Sequence, residues 1–549
     1  MMRNPMMRGG FIPVALLTLV LTACAQAQPT APQAPAVAEE KPQYGGTLVF
    51  GGLSAPAHLD VLAAAATGDN RNSSGVYDRL LNYDYADPNH TADYKLVPGL
   101  ADRWEMSPDG KTYTFFLHKG VKWHDGEDFT AADVVYTYKR IIEIKSPLAT
   151  NIADMDKIEA LDPNTLKLTN KVADAAFLIG LAGSNMGIQP KHLVDKGMDL
   201  RKTAIGTGPF KLESFDPKSH TVWVKNPNYW QQGLPYMDKV DLIWSLDKPS
   251  LLAAVAIGKV DTTYSFGKVD YETVLKTNPN IKALKFAFAG PVVMFNIEHP
   301  PLNDLRVRRA IHLAVDRQEL IKINGLGEGK LSCYVPGDKV GWCLPGWEQL
   351  PGFRQPKDQD LAEAKRLLAE AGYPNGFEVK LLYKTTSTQS VAASEPLAGQ
   401  MARIGLRLVL DGRDNPTTNE IFEIKGNYEM ILNQSGAWGN TTSKRNLVQW
   451  YSVKGPANLH GIGNAELDKL IDQQAVTFNN EERKKLWHQM EKIVLDNVWA
   501  VPLTDNLQYN LVQPWVKGPM VLTGDNTWQT THTPLYATTW LDQKMLPQR

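Results

Sequence analysis

Residues 96–140 read LVPGLADRWEMSPDGKTYTFFLHKGVKWHDGEDFTAADVVYTYKR and have the pattern of a compact strand-turn-strand-helix unit. Ser107-Pro108-Asp109-Gly110 has the composition of a tight turn, because Pro presets φ and Gly supplies a positive φ. Thr112 to Leu117 is β-branched and aromatic, as a half-buried strand should be. His124-Asp125-Gly126 indicates a second turn, and Thr130 with Asp133 predicts a capping box that opens a helix. By propensity alone, these are structural residues without chemistry.

The same stretch resembles the signature segment of the family 5 extracellular solute-binding proteins, the peptide and nickel class of ABC importer receptors. The family pattern combines Pro, Leu-Ala, Trp, Ser-x-Asp-Gly, an aromatic strand, an aromatic-His-Asp-Gly turn and Thr-Ala-x-Asp-Val. The matching residues here are Pro98, Leu100-Ala101, Trp104, Ser107, Asp109-Gly110, Trp123-His124-Asp125-Gly126 and Thr130-Ala131-x-Asp133-Val134. So many matches in the same order are not expected by chance.

Further motifs extend the resemblance over residues 44 to 540. They are Gly206-Thr207-Gly208-Pro209-Phe210 with Asn226-Pro227-Asn228-Tyr229-Trp230, Phe295-Asn296 with Pro300 to Ala310, Ala371-Gly372-Tyr373-Pro374, and a strand from Tyr428 leading to Ser435 to Gly439. No helix pattern follows Gly206 and Gly208 directly, which favours turn residues over a nucleotide loop. On the helix expected after Asp304, three arginines, Arg306, Arg308 and Arg309, are predicted to face solvent.

The resemblance implies an α/β, periplasmic-binding-protein-like fold. Two α/β lobes would be joined by a hinge, and an extra subdomain would be inserted in the first lobe. The expected division is a lipoprotein signal peptide at 1–23, a disordered Ala/Pro/Gln tether at 24–43, lobe I at 44–78, 200–285 and 505–549, the inserted subdomain at 79–199, and lobe II at 286–504. A chain of 549 residues is too long for a single core, which agrees with this division.

Residues 1–23 have the composition of a secretory signal. A positively charged start precedes an apolar run that is shorter than the about 20 residues of a membrane span. The run ends in Leu21-Thr22-Ala23-Cys24, which resembles a bacterial lipobox with Cys24 as the lipidated residue; cleavage after Ala25 or Ala27 is the alternative. We therefore expect an exported protein in the periplasm or at the cell surface, attached to a bacterial membrane by its lipid only.

The charge content of the chain indicates which classes of partner to expect. The chain has 58 basic and 59 acidic residues, a formal net charge of −1, and no basic runs, so nucleic acid is not an expected partner.

After Cys24 only Cys333 and Cys343 remain. In an oxidising compartment a local disulfide is the natural interpretation. A metal site is the alternative, but it needs more ligands, and no His or further Cys is close in sequence.

An exported enzyme is the rival class of function. The sequence has no G-x-S-x-G elbow and no H-E-x-x-H helix, and its histidines lack zinc-like spacing. A catalytic carboxylate pair stays open, because acidic residues are plentiful. The resemblance implies instead a monomeric, non-enzymatic receptor without cofactor or metal, which closes around a solute and delivers it to an ABC permease. A receptor that feeds a sensor, or a chaperone for exported chains, has the same fold.

The resemblance favours an oligopeptide or dipeptide as solute. Peptide-binding relatives carry an acidic residue shortly after the Trp of a second-lobe strand, where it pairs with the free ammonium. Here Trp438-Gly439 precedes Asn440 to Arg445 without a carboxylate, so an oligosaccharide, an anionic opine-like conjugate or a blocked peptide is the alternative, unless Asp411 or Asp414 supplies the charge. The expected ligand contacts are Trp438 for stacking, Asn440, Asn433 and Asn296 for hydrogen bonds, and Phe295 and Tyr77 as cleft walls.

Overall fold

A computed structural model of the chain describes residues 41–53, 56–63, 74–84, 95–183, 185–244, 246–288, 290–333, 342–434, 451–453, 455, 458, 460–519 and 533–547. In these ranges, no helix combines the length and the apolar character needed to cross a membrane.

The strands of the described residues are β1 (Thr47–Gly51), β2 (Leu81–Tyr83), β3 (Leu96–Pro98), β4 (Ala101–Met106), β5 (Thr112–Leu117), β6 (Met155–Asp162), β7 (Thr165–Asn170), β8 (Phe210–Asp216), β9 (His220–Lys225), β10 (Lys239–Ile243), β11 (Thr262–Phe266), β12 (Lys282–Phe288), β13 (Pro291–Phe295), β14 (Gly329–Leu331), β15 (Glu378–Lys384), β16 (Arg407–Arg413), β17 (Met430–Gln434), β18 (Ala500–Pro502), β19 (Thr504–Val512), β20 (Val516–Lys517) and β21 (Trp540–Leu541).

The α-helices in the same ranges are α1 (Ala131–Glu143), α2 (Phe177–Leu181), α3 (Lys191–Val194), α4 (Lys248–Ala256), α5 (Lys268–Thr277), α6 (Leu305–Ala314), α7 (Arg317–Asn324), α8 (Asp358–Glu370), α9 (Thr388–Ala402), α10 (Asn415–Asn419), α11 (Ala465–Ala475), α12 (Asn480–Asn497) and α13 (Thr533–Thr538). Short 3₁₀ segments lie at Pro147–Ile152 and Trp347–Gln349, and a π-helical turn lies at Glu420–Lys425.

The first lobe is built on a large mixed sheet. Its strand order is β12-β19-β11-β1-β10-β9-β8, and β14 pairs with β19. β1 is parallel to both β10 and β11, whereas β19 runs antiparallel between β11 and β12. The buried faces of β1 and β10 are Leu-, Val- and Phe-rich, as expected for strands covered on both sides.

The inserted subdomain contains an antiparallel sheet in the order β4-β5-β7-β6. β5 alternates between half-buried and fully buried residues, and α1 packs its apolar face over this sheet. The predicted capping box of α1 is confirmed, because the Thr130 N–H donates to the Asp133 carboxylate at 2.9 Å. One hydrophobic core contains Tyr113 and Leu166 of this sheet together with Leu48 of β1, so the subdomain shares the core of the first lobe.

The second lobe is built on a sheet in the order β16-β15-β17-β13-β18. β15, β16 and β17 are parallel, and β13 is antiparallel to β17 and β18. One face packs against α6, α8 and α9 through residues such as Leu381 and Leu432, and the other packs against α11 and α12 through residues such as Leu382 and Ile431. These two α/β lobes are the fold that the sequence predicts.

The chain crosses between the lobes from β12 into β13 and from β18 into β19. At the crossing, the Gly290 N–H donates to the Asp505 carboxylate at 3.0 Å, and the Leu503 N–H donates to the Pro291 carbonyl at 3.1 Å. β14 departs from the predicted lobe boundaries. It lies within residues 286–504, yet Gly329 and Lys330 pair with Asn506 and Asp505 of the first-lobe sheet.

Candidate functional site

The carboxyl ends of the parallel strands in both lobes lie at the edge where the chain crosses. In the first lobe, Gly51 at the end of β1 pairs with Ile243 at the end of β10. In the second lobe, Gln434 at the end of β17 pairs with Pro291, the first residue of β13 after the crossing. Open α/β sheets bind ligands beyond the carboxyl ends of their strands. We therefore place the candidate site at this edge, between the two lobes.

A row of polar side chains ends the parallel strands of the second lobe. Arg413 of β16 pairs with Lys384 of β15. The neighbouring pair is Tyr383 with Leu432, so the next residues along, Lys384 and Asn433, lie side by side. Since alternate residues share a face, all three point to the face of Ile431 and Leu382. This polar row, Arg413, Lys384 and Asn433, offers two cations and one amide.

Two carboxylates near the polar row already interact with other groups of the protein. The Asp411 carboxylate lies 2.5 Å from the Arg413 guanidinium, and both side chains are partly exposed. Asp414 caps α10, where its carboxylate accepts from the Thr417 N–H at 2.8 Å. Hydrogen bonds from Thr417 hold the pKa of Asp414 below its usual value. Asp411 is thus a carboxylate already paired with a cation, and Asp414 is a helix cap.

A concavity of about 270 Å³ lies on the same sheet face, further from the crossing edge. Its charged lining consists of Lys380 of β15, Asp411 of β16, and Glu429 just before β17. The Glu429 carboxylate accepts from the Lys380 backbone N–H at 2.6 Å. Tyr428 and Ile421 add apolar walls. The concavity therefore adjoins the polar row through Asp411.

Two of the predicted contact residues lie at the wrong end of the sheet. β13 is antiparallel to β17, so Phe295 pairs with Met430 at the start of β17, away from Asn433. Phe295 is fully buried in the core. Asn296 is also buried, and its amide donates to the Gly426 carbonyl at 2.8 Å while its oxygen accepts from the Glu298 N–H at 3.1 Å. Both residues are structural, which corrects the prediction.

Tyr77 is not a cleft wall either. Its side chain is 2 % exposed and belongs to the core of the first lobe. A Cβ on Gly187 would lie 2.8 Å from the Tyr77 Cβ, so the neighbouring backbone packs directly on this residue. Burial raises the pKa of the Tyr77 hydroxyl well above its usual value. Among the described residues, Asn433 is the one predicted ligand contact that lies at the crossing edge. The predicted contacts Trp438 and Asn440, and the predicted lipidation residue Cys24, lie outside the described residues.

The predicted cysteine pair is close to the second-lobe core. Cys333 and Cys343 are joined by a disulfide with their Cα atoms 6.0 Å apart. Cys333 is buried in the core cluster that also contains Trp342 and Trp487. Across the described residues, no group of three or more His, Cys, Asp or Glu side chains is arranged to hold a metal ion.

The motifs that resemble the family meet around one buried carboxylate, Asp78. It accepts hydrogen bonds from the Thr207 hydroxyl at 3.1 Å, from the Tyr229 hydroxyl at 3.2 Å and from the Trp230 indole N–H at 2.9 Å. Burial raises the pKa of this carboxyl, whereas these hydrogen bonds and the neighbouring Arg79 oppose the rise. Asp78 therefore holds together the Gly-Thr-Gly-Pro and Asn-Pro-x-Tyr-Trp motifs.

His124 connects the central stretch to the same place. Its Nδ1 accepts from the Gly206 N–H at 3.2 Å, so Nε2 carries the proton and donates to the Gly208 carbonyl at 2.9 Å. Burial lowers the pKa of this imidazole to about 4, so it is neutral near pH 7. A Cβ on Gly206 would lie 1.8 Å from the Val76 carbonyl oxygen, which explains the glycine. These motifs build the first lobe rather than the ligand site.

Lys384 and Arg413 are candidate site residues that the sequence analysis does not name. The signal that could have found them is their position at the ends of parallel strands, where ligand-binding residues collect. It could not be used without knowing which strands are parallel and which end faces the other lobe.

Comparison with known proteins agrees with this architecture. The family model described as "Bacterial extracellular solute-binding proteins, family 5 Middle" matches residues 95–458. Heme-binding protein A of Haemophilus influenzae is 28 % identical over 546 residues, covering 92 % of this chain and 95 % of the relative. Di/tripeptide-binding protein 1 of Pseudomonas aeruginosa is 26 % identical over 553 residues, covering 93 % and 95 %. Glutathione-binding protein GsiB of Salmonella choleraesuis is 30 % identical over 431 residues, covering 75 % and 81 %.

Solved structures show the same fold. The binding protein AgaA of A. tumefacien R10, in complex with agropinic acid, has a TM-score of 0.71 at 25 % identity, covering 91 % of this chain and 99 % of that one. The ABC transporter-associated protein DppA of Helicobacter pylori, in complex with the peptide STSA, has a TM-score of 0.71 at 23 % identity, with the same coverage. The two-lobed fold, the ordered motifs and the family match lead to one conclusion: the chain belongs to the bacterial extracellular solute-binding proteins of family 5.

Proposed function

We propose that this protein is the substrate-binding component of an ABC importer, and that it captures a peptide-class solute by its carboxylate. The observation that carries the proposal is the polar row at the crossing edge. Arg413 and Lys384 supply donors suited to a carboxylate, and Asn433 adds an amide beside them. Peptides and glutathione, which relatives of this chain are named for binding, end in carboxylates.

The binding mechanism is closure without covalent chemistry. A solute carboxylate docks on the polar row of the second lobe while the first lobe is free to swing about the segments that connect the lobes, including those on either side of β14. Closure then excludes water, which strengthens the attraction between the carboxylate and the two cations. In this proposal, Trp438 stacks on the solute and Asn440 hydrogen-bonds to it; both residues follow β17 in the sequence and lie outside the described residues. The closed receptor is the form delivered to the membrane permease.

Recognition of a free ammonium is a separate requirement. Asp411 lies in reach of the polar row, but its carboxylate already pairs with Arg413 at 2.5 Å. An ammonium group at this point would share Asp411 with Arg413, and it would gain less than at an unpaired carboxylate. The same ion pair engages Arg413, but two cations and one carboxylate stand at this point, and their net positive charge favours the carboxyl end of a solute over its amino end. This supports an anionic opine-like conjugate or an N-blocked peptide as the second candidate.

A neutral oligosaccharide fits the site less well. It would bury Lys384 and Arg413 against hydroxyl groups, without a charge to replace the water lost by the cations.

For the rest of the chain, we propose an exported monomer with a signal peptide at 1–23 and lipidation at Cys24. The lobe division is the one expected from the resemblance, except that β14 joins the first-lobe sheet. The lipid would hold the receptor near its permease.

Thermal unfolding with four probes tests the proposal: trialanine, N-acetyl-trialanine, trialanine amide and maltotriose. A probe at a hundred times its dissociation constant stabilises the protein by about 2.7 kcal/mol. We expect trialanine and the acetylated peptide to raise the midpoint, and the amide and the sugar to leave it unchanged. Stabilisation by maltotriose alone, or equal stabilisation by the amide, would contradict recognition through a carboxylate.

A matched pair of variants locates the contact. Lys384→Met removes a cation from the polar row, and Lys380→Met removes one from the same strand and face, four residues further from the crossing edge. We expect calorimetric titration with trialanine to show at least about tenfold weaker binding for Lys384→Met and no change for Lys380→Met. Equal affinities of the two variants would refute the assignment of Lys384. Trp438→Ala is expected to weaken binding through the loss of stacking area.

A further inference from the structure

The two lobes also touch away from the crossing segments and from the pairing of β14 with β19. Residues 476–479, the turn between α11 and α12 of the second lobe, lie against the inserted subdomain of the first lobe. The Ala175 N–H donates to the Ala475 carbonyl at 2.7 Å. A Cβ built on Gly110 would lie 2.7 Å from the Cζ atom of Phe478, so the ring sits directly over the Ser107–Gly110 turn.

Charge complementarity accompanies this contact. Arg483 in the first turns of α12 is buried, and its guanidinium donates to the Gln474 amide oxygen at 3.3 Å. Burial lowers the pKa of Arg483 to about 10, and the opposing influence is the negative charge of Asp174 in the inserted subdomain. Asp174 is itself held in place, because its carboxylate accepts from the Ala176 N–H at 2.9 Å and its carbonyl accepts from the Tyr113 hydroxyl at 3.3 Å.

None of these contacts follows from the covalent connection of the lobes. Among the described residues, the inserted subdomain meets the second lobe through the backbone hydrogen bond from Ala175 to Ala475 and the contact of Phe478 with the Ser107–Gly110 turn. Such contacts exist only while the lobes are close together, since each has a range of a few ångströms. They are lost when the lobes separate, whereas the crossing segments stay connected.

We propose that this contact is a closure latch: the 476–479 turn docks on the inserted subdomain when the lobes close, and it slows the release of the solute. The inference rests on the closure assumed in the proposed function. Gly110 contributes to the latch in two ways. Its φ of +69° suits the turn, and the absence of a side chain leaves room for the Phe478 ring. Phe478 is 42 % exposed even in contact, so its ring covers the turn without belonging to a core.

Disulfide trapping tests the latch without any solute. The Ala175 nitrogen lies 2.7 Å from the Ala475 carbonyl oxygen, so the two backbones are close enough for a cysteine pair at these positions to be tested for a disulfide. In the purified protein carrying Ala175→Cys and Ala475→Cys, mild oxidation is expected to give a cross-linked product with altered mobility on non-reducing gels. Each single-cysteine variant serves as a control and is expected to give none. Failure of the pair to cross-link would overturn the inference.

Phe478→Ala in the same double-cysteine background measures the contribution of the ring. We expect the rate of cross-linking to fall by about three- to tenfold, because a smaller fraction of molecules is closed. Val476→Ala is the matched control, since Val476 lies in the same turn and is 52 % exposed. Equal rates for Phe478→Ala and the unaltered background would refute the latch.

Measuring the release of a solute distinguishes a failure of the latch from a failure of the proposed function. Stopped-flow measurement of trialanine release is expected to be about three- to tenfold faster in Phe478→Ala, with a nearly unchanged association rate, as is usual for contacts formed after encounter. If trialanine binds the wild-type protein and leaves both proteins equally fast, the latch is wrong and the receptor function stands. If trialanine does not bind but the cross-linking rates differ, the latch stands and the solute assignment is wrong.

Discussion

The stability of the protein should fall on acidification through one identified histidine. In the unfolded chain His124 takes up a proton near pH 6.5, whereas burial lowers its pKa in the fold to about 4. Between these values the unfolded state binds more protons than the folded state, so stability is complete above pH 6.5 and is lost as the pH falls towards 4. Linkage gives a loss of about 2 kcal/mol between pH 7 and pH 5 from this group alone.

His124→Gln isolates this contribution. Glutamine keeps a donor for the Gly208 carbonyl, which accepts from Nε2 at 2.9 Å, but it does not titrate. We expect the variant to be less stable than the wild type at pH 7, because the Gly206 N–H loses its acceptor. Its stability should then fall by about 2 kcal/mol less than that of the wild type between pH 7 and pH 5.

Urea unfolding at pH 7, 6 and 5, followed by tryptophan fluorescence, measures both proteins. The decisive quantity is the difference between their two pH dependences, since acidic groups elsewhere contribute equally to each. His118→Gln, at a side chain that is 31 % exposed, controls for the removal of an imidazole. Parallel curves for the wild type and His124→Gln would show that this histidine is not held neutral by the fold.

Two further predictions concern the two lobes separately. Asp78→Asn should cost about 1–3 kcal/mol in urea unfolding, because an amide oxygen that keeps the Thr207 and Trp230 donors carries no charge, and the amide NH₂ then replaces the oxygen that accepts from the Tyr229 hydroxyl; a loss below about 0.5 kcal/mol would contradict the buried network. Replacing Cys333 and Cys343 with serine should lower stability by about 2–3 kcal/mol, since the bridge closes a loop of ten residues; dithiothreitol should lower the wild-type midpoint to that of the variant, and a wild-type midpoint that ignores the reductant would refute this.

The sequence predicted what depends on local pattern. The Ser107–Gly110 turn, the β5 strand and the capping box of α1 all rest on interactions within a few residues, and each is present. Ordered motifs also identified the two-lobed fold. These features need no knowledge of distant partners, which is why the printed sequence is sufficient for them.

Features that depend on distant backbone could not be predicted in the same way. Arg308 was predicted to face solvent, but it is buried and donates to the backbone carbonyls of Leu302 and Asn497. Backbone acceptors carry no residue-specific signal, so an amphipathic pattern assigns an arginine to the surface. The error over Phe295 and Asn296 has a related cause, since the direction of β13 in its sheet decides which of its ends faces the other lobe.

The position of β19 has a consequence for how the chain is made. This strand, Thr504–Val512, pairs with both β11 and β12, and among the described strands β12 has no other partner. Synthesis proceeds from the amino terminus, so β11 and β12 leave the ribosome more than 200 residues before the strand that joins them. The first lobe therefore remains an unfinished sheet until the last tenth of translation. The second-lobe sheet, whose strands all lie between Pro291 and Pro502, is by contrast complete before β19 is made, so the lobe that begins first along the chain is the one that finishes last.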